Sequence, residues 1–223
     1  INKFIEKYNL KNKINIVNSD NKFSYHKNKF NIYKYKCGSS IENTIESLKL
    51  AYKFCKKKIC IGIITLPLRK DLVKKLDKNF LGQTEFFQKI NNKKISNMIL
   101  YHKKIIVSPI TTHIEIKKIS KNVSDTKYLY NKIYSLYKCL EVDFNINNPK
   151  VAISGLNPHS GENGEIGIEE IKYITPTIKK LRNKKIYVDG PISADSILID
   201  KNFKKYDCFV FMYHDQALIP FKF

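Results

Sequence analysis

Val151-Ala152-Ile153-Ser154-Gly155-Leu156-Asn157-Pro158-His159-Ser160-Gly161-Glu162-Asn163-Gly164 carries the pattern from which the architecture follows. It opens on an uninterrupted apolar run, as a strand covered on both faces of a parallel sheet requires. Gly155, Asn157 and Pro158 then stop the strand and turn the chain. Further on, Ile168, Ile171, Ile174, Ile178 and Leu181 recur along one side of a helix expected over Ile168–Leu181, with Pro176 as a point of kinking. A buried strand, a polar turn and an amphipathic helix, in that order, belong to an α/β protein.

The same alternation extends in both directions. Ile186-Tyr187-Val188 reads as a short strand before Asp189-Gly190-Pro191. Cys208-Phe209-Val210-Phe211-Met212 reads as a final strand ending at Tyr213-His214-Asp215-Gln216, with no closing helix expected. Upstream, Ile105-Ile106-Val107 leads through Pro109 to Thr111-Thr112-His113, and one long helix is expected from about Ser120 to Leu140 on Val123, Tyr130, Ile133, Tyr137 and Leu140. Ile59-Cys60-Ile61-Gly62-Ile63-Ile64 reads as another buried strand, broken at Thr65-Leu66-Pro67. Before it, Ser39-x-x-Glu42 fits a capping box at the head of a helix carrying Ile45, Leu48, Tyr52 and Cys55. The first 36 residues are Lys/Asn/Tyr-rich and weakly periodic, with strand-like pieces such as Ile14-Asn15-Ile16-Val17. Strands alternating with helices give an α/β fold with a largely parallel sheet, and neither a repeat nor a low-complexity linker interrupts it.

With 223 residues, 43% hydrophobic and 27% charged, the chain has the composition of a globular protein with one large domain or two small ones. The net charge of +21 raises the alternative of a basic nucleic-acid-binding protein. The lysines are scattered, however, and Lys, Asn and Ile are over-used together, with Asn at about one residue in ten, as A/T-rich codons produce in any protein. A binding footprint concentrates on one face, so no nucleic-acid partner is expected, although a phosphorylated substrate gains some steering. Five Cys without a CxxC pattern point to buried free thiols in a reducing, cytoplasmic compartment. No apolar run reaches the roughly 18 residues of a membrane span, so no membrane partner is expected.

Three of the five histidines, His113, His159 and His214, stand within a few residues of an expected strand end, whereas His26 and His102 do not. Ligands collect at the carboxyl ends of parallel strands, and three imidazoles meeting there can hold a divalent metal with positions left open. The intervals of 46 and 55 residues prove no convergence by themselves, and a lone histidine at a strand end is commonly structural. Gly161, Gly164 and Gly167 are spaced by three, and no GxGxxG lies between a strand and a helix, so no Rossmann fingerprint is read.

The motifs themselves point further. Gly155-Leu156-Asn157-Pro158-His159-Ser160-Gly161-Glu162 resembles a GLNPHAGE loop, Gly190-Pro191-Ile192-Ser193-Ala194-Asp195-Ser196 a GPxxADT stretch, and Met212-Tyr213-His214-Asp215-Gln216 a MYHDQ motif. Thr111-Thr112-His113 resembles TTH, Gly82-Gln83-Thr84-Glu85-Phe86-Phe87 resembles GHTEFF, and Thr65-x-Pro67-x-x-Lys70 resembles TGPxxK. Order and approximate spacing agree from about Ile59 to Phe223. The set resembles the 4-hydroxythreonine-4-phosphate dehydrogenase family of pyridoxal phosphate biosynthesis.

The resemblance implies the isocitrate/isopropylmalate dehydrogenase-like fold, two α/β/α domains with the active site in the cleft between them. Residues 1–80 would then be part of the first domain, and residues 81–223 the second domain with the metal-ligand motifs. It implies His113, His159 and His214 as ligands of a divalent cation (Zn, Mg or Co), substrate contacts from Gln83, Thr84 and Lys222, and a further substrate or supporting contact from Asp195. The cofactor would be NAD or NADP, with its contacts not assigned to residues here. The implied assembly is a homodimer with the site shared across its interface. The implied reaction is oxidation of 4-phosphooxy-L-threonine at C3 followed by decarboxylation, for which a bound cation supplies Lewis acidity. Three departures stand out. Gln83 replaces a His and cannot carry a proton near neutral pH, Leu66 replaces a Gly where bulk can crowd a backbone approach, and Ala217 stands where Gly is common. The GEPAGIGPE-like opening and the closing segment of the family are absent, so an excerpt of a longer chain, incomplete in its first domain and inactive alone, is expected. A phospho-threonate or phospho-erythronate dehydrogenase of the same family, and a decayed fragment, are the alternatives.

Overall fold

The computed structural model describes residues 6–9, 13–18, 26–34, 39–78, 80, 82–103 and 105–222. It divides into two compact units, Ile1–Gly82 and Gln83–Phe223.

In the first unit, β1 (Ile14–Asn18) and β2 (Phe30–Lys34) pair in parallel, with Ile14 opposite Phe30. Helix α1 (Ser40–Lys56) opens with the complete capping box expected of Ser39 and Glu42. The Ser39 N–H donates to Glu42 Oε2 at 2.6 Å, and the Glu42 N–H donates to Ser39 Oγ at 3.3 Å, so two otherwise orphaned amides are satisfied. A short α2 (Lys70–Leu76) buries Val73. Ile59–Ile64 is not a strand. Ile61 and Ile64 stand open to solvent at 111% and 99% exposure, because an apolar run becomes a buried strand only where neighbours pair with it and cover both faces. Leu66 is exposed too.

The second unit begins with α3 (Gln83–Ile90) and continues through β3 (Leu100–His102), β4 (Ile105–Pro109), α4 (Ile119–Ser124), α5 (Thr126–Val142) and β5 (Val151–Ser154). After β5 come α6 (Thr175–Arg182), β6 (Val188–Ile192), α7 (Asp200–Lys205), β7 (Cys208–Phe211) and α8 (His214–Lys222). The sheet order is β3-β4-β7-β5-β6, parallel except for the edge pair β3–β4.

Both faces of this sheet are buried, and the side chains sort by the two-residue period of a strand. Cys208, Val210 and Met212 join Val151, Ile153 and Ile106 in one core with Leu129, Ile133, Leu136 and Leu140 of α5 and Ile178 and Leu181 of α6. Phe209 and Phe211 join Ala152 and Val107 in a second core with Ile197, Tyr206, Ala217 and Leu218. Each large apolar side chain taken wholly out of water contributes about 1.5–3 kcal/mol, which is why the runs VAI and CFVFM carry no polar alternation.

Three expectations need correction here. The helix expected over Ser120–Leu140 is two helices, because Asp125 leaves helical geometry and caps α5 by accepting from the Tyr128 N–H at 2.9 Å. The helix expected over Ile168–Leu181 begins with a π-helical turn, Glu170–Ile174, just ahead of Pro176, which has no N–H for a regular bond. The extra residue in that turn shifts the helical phase, so Ile168 and Ile171 face outward at 45% and 52% exposure while Glu170 is buried. Finally, β7 is followed by a closing helix, α8, which begins at His214 itself and includes Pro220. Among the described cysteines only Cys208 is buried; Cys55 and Cys139 are half-buried, Cys60 is exposed, and Cys37 lies outside the described residues. Among the described residues, no helix is long and apolar enough to cross a membrane.

Candidate active site at the carboxyl rim of the sheet

The three parallel strands β4, β7 and β5 are neighbours, and each delivers a histidine from the turn at its carboxyl end: His113, His214 and His159 in that spatial order. His102 closes the antiparallel β3 opposite Ile105, the first residue of β4, so it lies at the other rim.

Two polar side chains stitch these turns together. Thr111 Oγ1 donates to the Met212 carbonyl at 2.8 Å, and the Ile110 and Thr111 amides donate to the Phe211 and Met212 carbonyls, extending the β4–β7 ladder into the turns. Gln216 spans the next gap. Its Oε1 accepts from the Met212 N–H at 2.9 Å and from Ser154 Oγ at 3.3 Å, and its Nε2 donates to the Gly155 carbonyl at 3.0 Å. One amide therefore satisfies groups at the ends of both β7 and β5 and fixes the spacing of the turns that carry His214 and His159.

The His113 and His214 rings lie side by side, with centroids 5.7 Å apart. Both turn Nδ1 towards a carboxylate: Glu85 Oε1 of α3 lies 3.8 Å from His113, and Asp215 Oδ1 lies 3.2 Å from His214. At His214 the carboxylate within hydrogen-bond distance of Nδ1 favours the tautomer with its proton there and leaves Nε2 as the free donor to a ligand; at His113 the carboxylate is only an electrostatic neighbour. His113 is exposed and His214 half-buried.

His159 sits on a different kind of support. From His159 to Asn163 the φ angles are 49°, 54°, 83°, 42° and 56°, a left-handed turn in which only Gly161 is at ease. Strain of this sort persists only where the surroundings over-determine it. Here the determinant is Glu170, 2% exposed, whose Oε1 accepts from the Leu156 and Asn157 amides at 2.7 and 2.8 Å and whose Oε2 accepts from Asn157 Nδ2 at 2.9 Å. The turn closes so tightly on this carboxylate that a Cβ at Gly161 would lie 2.8 Å from Glu170 Oε2 and 2.6 Å from the Gly167 carbonyl. Glu169 reinforces it, accepting from Asn157 Nδ2 at 2.9 Å and Ser120 Oγ at 2.6 Å. The hydrogen bond from Ser120, and then that from Asn157, hold the Glu169 carboxyl below the usual carboxylate range.

The other expected site residues are distributed as follows. Asp195 is exposed in the turn after β6 and accepts from Ser193 Oγ at 2.6 Å; that bond chiefly, with backbone hydrogen bonds, keeps its carboxyl below the ordinary range. Gln83 and Thr84 form the head of α3, one turn position before the Glu85 that faces His113. Lys222 is exposed at the far end of α8, about 12 Å along the helix axis from His214 at 1.5 Å per residue. One copy of the chain thus brings His113 and His214 together; among the described residues, no group of three or more His, Cys, Asp or Glu stands close enough to hold a metal ion. Sequence reasoning assigned no role to Thr111, Glu85, Glu170 or Gln216. Glu170 had a readable signal, since it lies four residues before Ile174 and eight before Ile178 on what proves to be the buried stripe. Thr111 and Gln216 had none, because their partners are up to 101 residues distant in the chain.

A largely parallel sheet with histidines at its carboxyl rim places the chain among the α/β proteins. Residues 3–223 match the family model described as pyridoxal phosphate biosynthetic protein PdxA, and the chain belongs to that family. It is 35% identical over 189 residues to the 4-hydroxythreonine-4-phosphate dehydrogenase of Sulfurihydrogenibium sp. (strain YO3AOP1), covering 83% of this chain and 58% of that protein. It is 39% identical over 161 residues to the enzyme of the same name from Aquifex aeolicus (strain VF5), covering 72% of this chain and 49% of that one. The crystal structure of 4-hydroxythreonine-4-phosphate dehydrogenase from Klebsiella pneumoniae superposes with a TM-score of 0.82 at 25% identity, covering 99% of this chain and 70% of that chain. The chain spans about half the length of the curated relatives it matches.

Proposed function

We propose that this chain is the histidine-bearing part of an NAD- or NADP-dependent enzyme of pyridoxal 5'-phosphate synthesis. The enzyme oxidises 4-phosphooxy-L-threonine at C3 and decarboxylates the product to 3-amino-2-oxopropyl phosphate. The observation that carries the reading is the family match over residues 3–223, joined to the paired His113 and His214 rings at the rim where ligands of parallel sheets bind.

The donor set fits a divalent cation in part. Two imidazoles, each with Nδ1 turned to a carboxylate, suit Zn, Co or a similar ion. His113, His214 and His159 would hold it, with the set completed across the interface of a homodimer. Ile166, Ile168 and Ile171 beyond the His159 turn, and Ile114 and Ile116 beyond His113, are exposed apolar side chains flanking the rim, which supports covering by a second copy. When bound, the cation supplies Lewis acidity at the oxygen where negative charge develops, and the dinucleotide accepts the hydride.

The chain's own residues bind and orient. Thr84, in the first turn of α3, offers a hydroxyl near a helix start to a phosphate or carboxylate. Gln83 donates and accepts hydrogen bonds beside it. Lys222 supplies a point charge for the phosphorylated end, and Asp195 a negative group for an ammonium. The proposed arrangement of the whole protein is the isocitrate/isopropylmalate dehydrogenase-like pair of α/β/α domains with a cleft between them, residues 1–80 contributing to the first and 81–223 forming the second, in the cytoplasm.

The test is an assay of the intact protein with 4-phosphooxy-L-threonine and either dinucleotide, following reduced nicotinamide, with and without a chelator. Chelation is expected to stop turnover, and His214→Ala to lose metal binding by about 100-fold or more. Turnover that survives both would refute the metal assignment, and absence of turnover with this substrate would refute the reaction. Gln83, in place of the family's His, favours one second reading: a phospho-threonate or phospho-erythronate substrate, which the same assay distinguishes.

A further inference from the structure

Lys132 is 5% exposed on the inner side of α5, yet among the described residues no carboxylate pairs with it. Its Nζ donates to the Ser96 carbonyl at 2.6 Å. Ser96 Oγ in turn donates to Gln88 Oε1 at 2.7 Å, and Gln88 lies on α3. The links run from the core helix α5, through residue 96 of the segment after α3, back to α3 itself. That helix buries only Phe86 among its residues, yet it opens with Gln83 and Thr84 and presents Glu85 to His113. Gln83, Glu85, Phe87, Gln88 and Ile90 of this helix are half-buried, so polar ties add to its packing in setting where its head lies.

We propose that Lys132 is a positioning residue: through Ser96 and Gln88 it holds the head of α3 at the rim of the site, so that Gln83 and Thr84 meet the phosphorylated substrate in register. The proposal rests on the reading of Gln83 and Thr84 as substrate contacts. Burial alone pushes the Lys132 amine down to about 8, because the interior disfavours its charged form. A methionine fills the same space without that cost, so an ammonium kept here makes sense through what it holds.

The test compares Lys132→Met and Ser96→Ala with the unaltered intact protein by thermal unfolding, amide hydrogen exchange over residues 83–99, and steady-state kinetics. Lys132→Met is expected to unfold at the same or a higher temperature while the α3 amides exchange about tenfold faster. KM for the phosphorylated substrate is expected to rise about tenfold with a smaller change in kcat, as misplacement of binding groups produces. Ser96→Ala keeps the lysine and its carbonyl partner but frees Gln88, and shows the same pattern more weakly. A lysine needed only for folding would lower the unfolding temperature and leave KM alone, and that result overturns the proposal, as does unchanged α3 exchange in both variants. Should Lys132→Met fail to fold, Ser96→Ala decides. Absence of turnover in the unaltered protein sinks the substrate reading instead, and α3 exchange then judges the brace by itself.

Discussion

The turns after β5 and β7 do the same job by opposite means. After β7 the chain passes straight into α8, so His214 sits in regular helical geometry and Gln216, two residues on, reaches back to lock both strand ends. After β5 the chain winds left-handed through His159–Asn163, a conformation most of its residues disfavour, and the buried Glu170, reinforced by Glu169, holds it from the following helix. The difference teaches where rigidity comes from at a strand-end site. One histidine inherits its position from secondary structure, the other from carboxylates reaching back from the next helix.

That contrast breaks most sharply at Glu170. Glu170→Ala leaves the Leu156 and Asn157 amides without their acceptor, each at about 1–3 kcal/mol, and equilibrium urea unfolding is expected to report a total loss of roughly 3–5 kcal/mol. Lys132 provides a contrast of another sort, remote from both turns. Its amine is shifted from 10.5 to about 8, so the folded protein resists protonation that the unfolded chain accepts. The associated stability is present above pH 10.5 and is lost as pH falls towards 8. Lys132→Met is therefore expected to gain on the unaltered protein across that window, by about 3 kcal/mol once level below pH 8, in unfolding curves measured along a pH series. Gln216→Ala strips partners from the Met212 amide and the Gly155 carbonyl and is expected to cost about 1–3 kcal/mol. Because it touches both turns, it should also weaken divalent-metal binding, measured by titration calorimetry, more than its stability loss alone explains. Thr111→Val removes one bond to the Met212 carbonyl, and a loss of about 0.5–1.5 kcal/mol is the smallest effect expected.

Much of the second unit was legible in the sequence because its strands are buried on both faces. Runs such as Val151–Ile153 and Cys208–Met212 have no polar member, and the turns that end them carry the histidines and the motif residues. The same rule misled at Ile59–Ile64, where apolar composition met no pairing strand among the described residues. Phase was lost at Glu170–Ile174, since a π turn adds a residue that no periodic template anticipates. The left-handed turn was hidden because four of its five residues are not glycine. The pairing of His113 with His214 was legible only as a shared rim; the ring separation and the ties through Thr111 and Gln216 depend on β7 lying between β4 and β5, an order that sequence spacing does not encode.

The ends of the five-stranded sheet carry a consequence for aggregation. On one side the terminal strand, β3, is three residues long and is followed by the exposed Lys103; on the other, β6 includes Pro191, which has no N–H to donate. Short, charged or proline-bearing margins discourage uncontrolled ribbon growth. Strand addition is disfavoured at both flanks of this sheet, so multimers of this unit are expected to be discrete and side-chain-mediated rather than fibrillar.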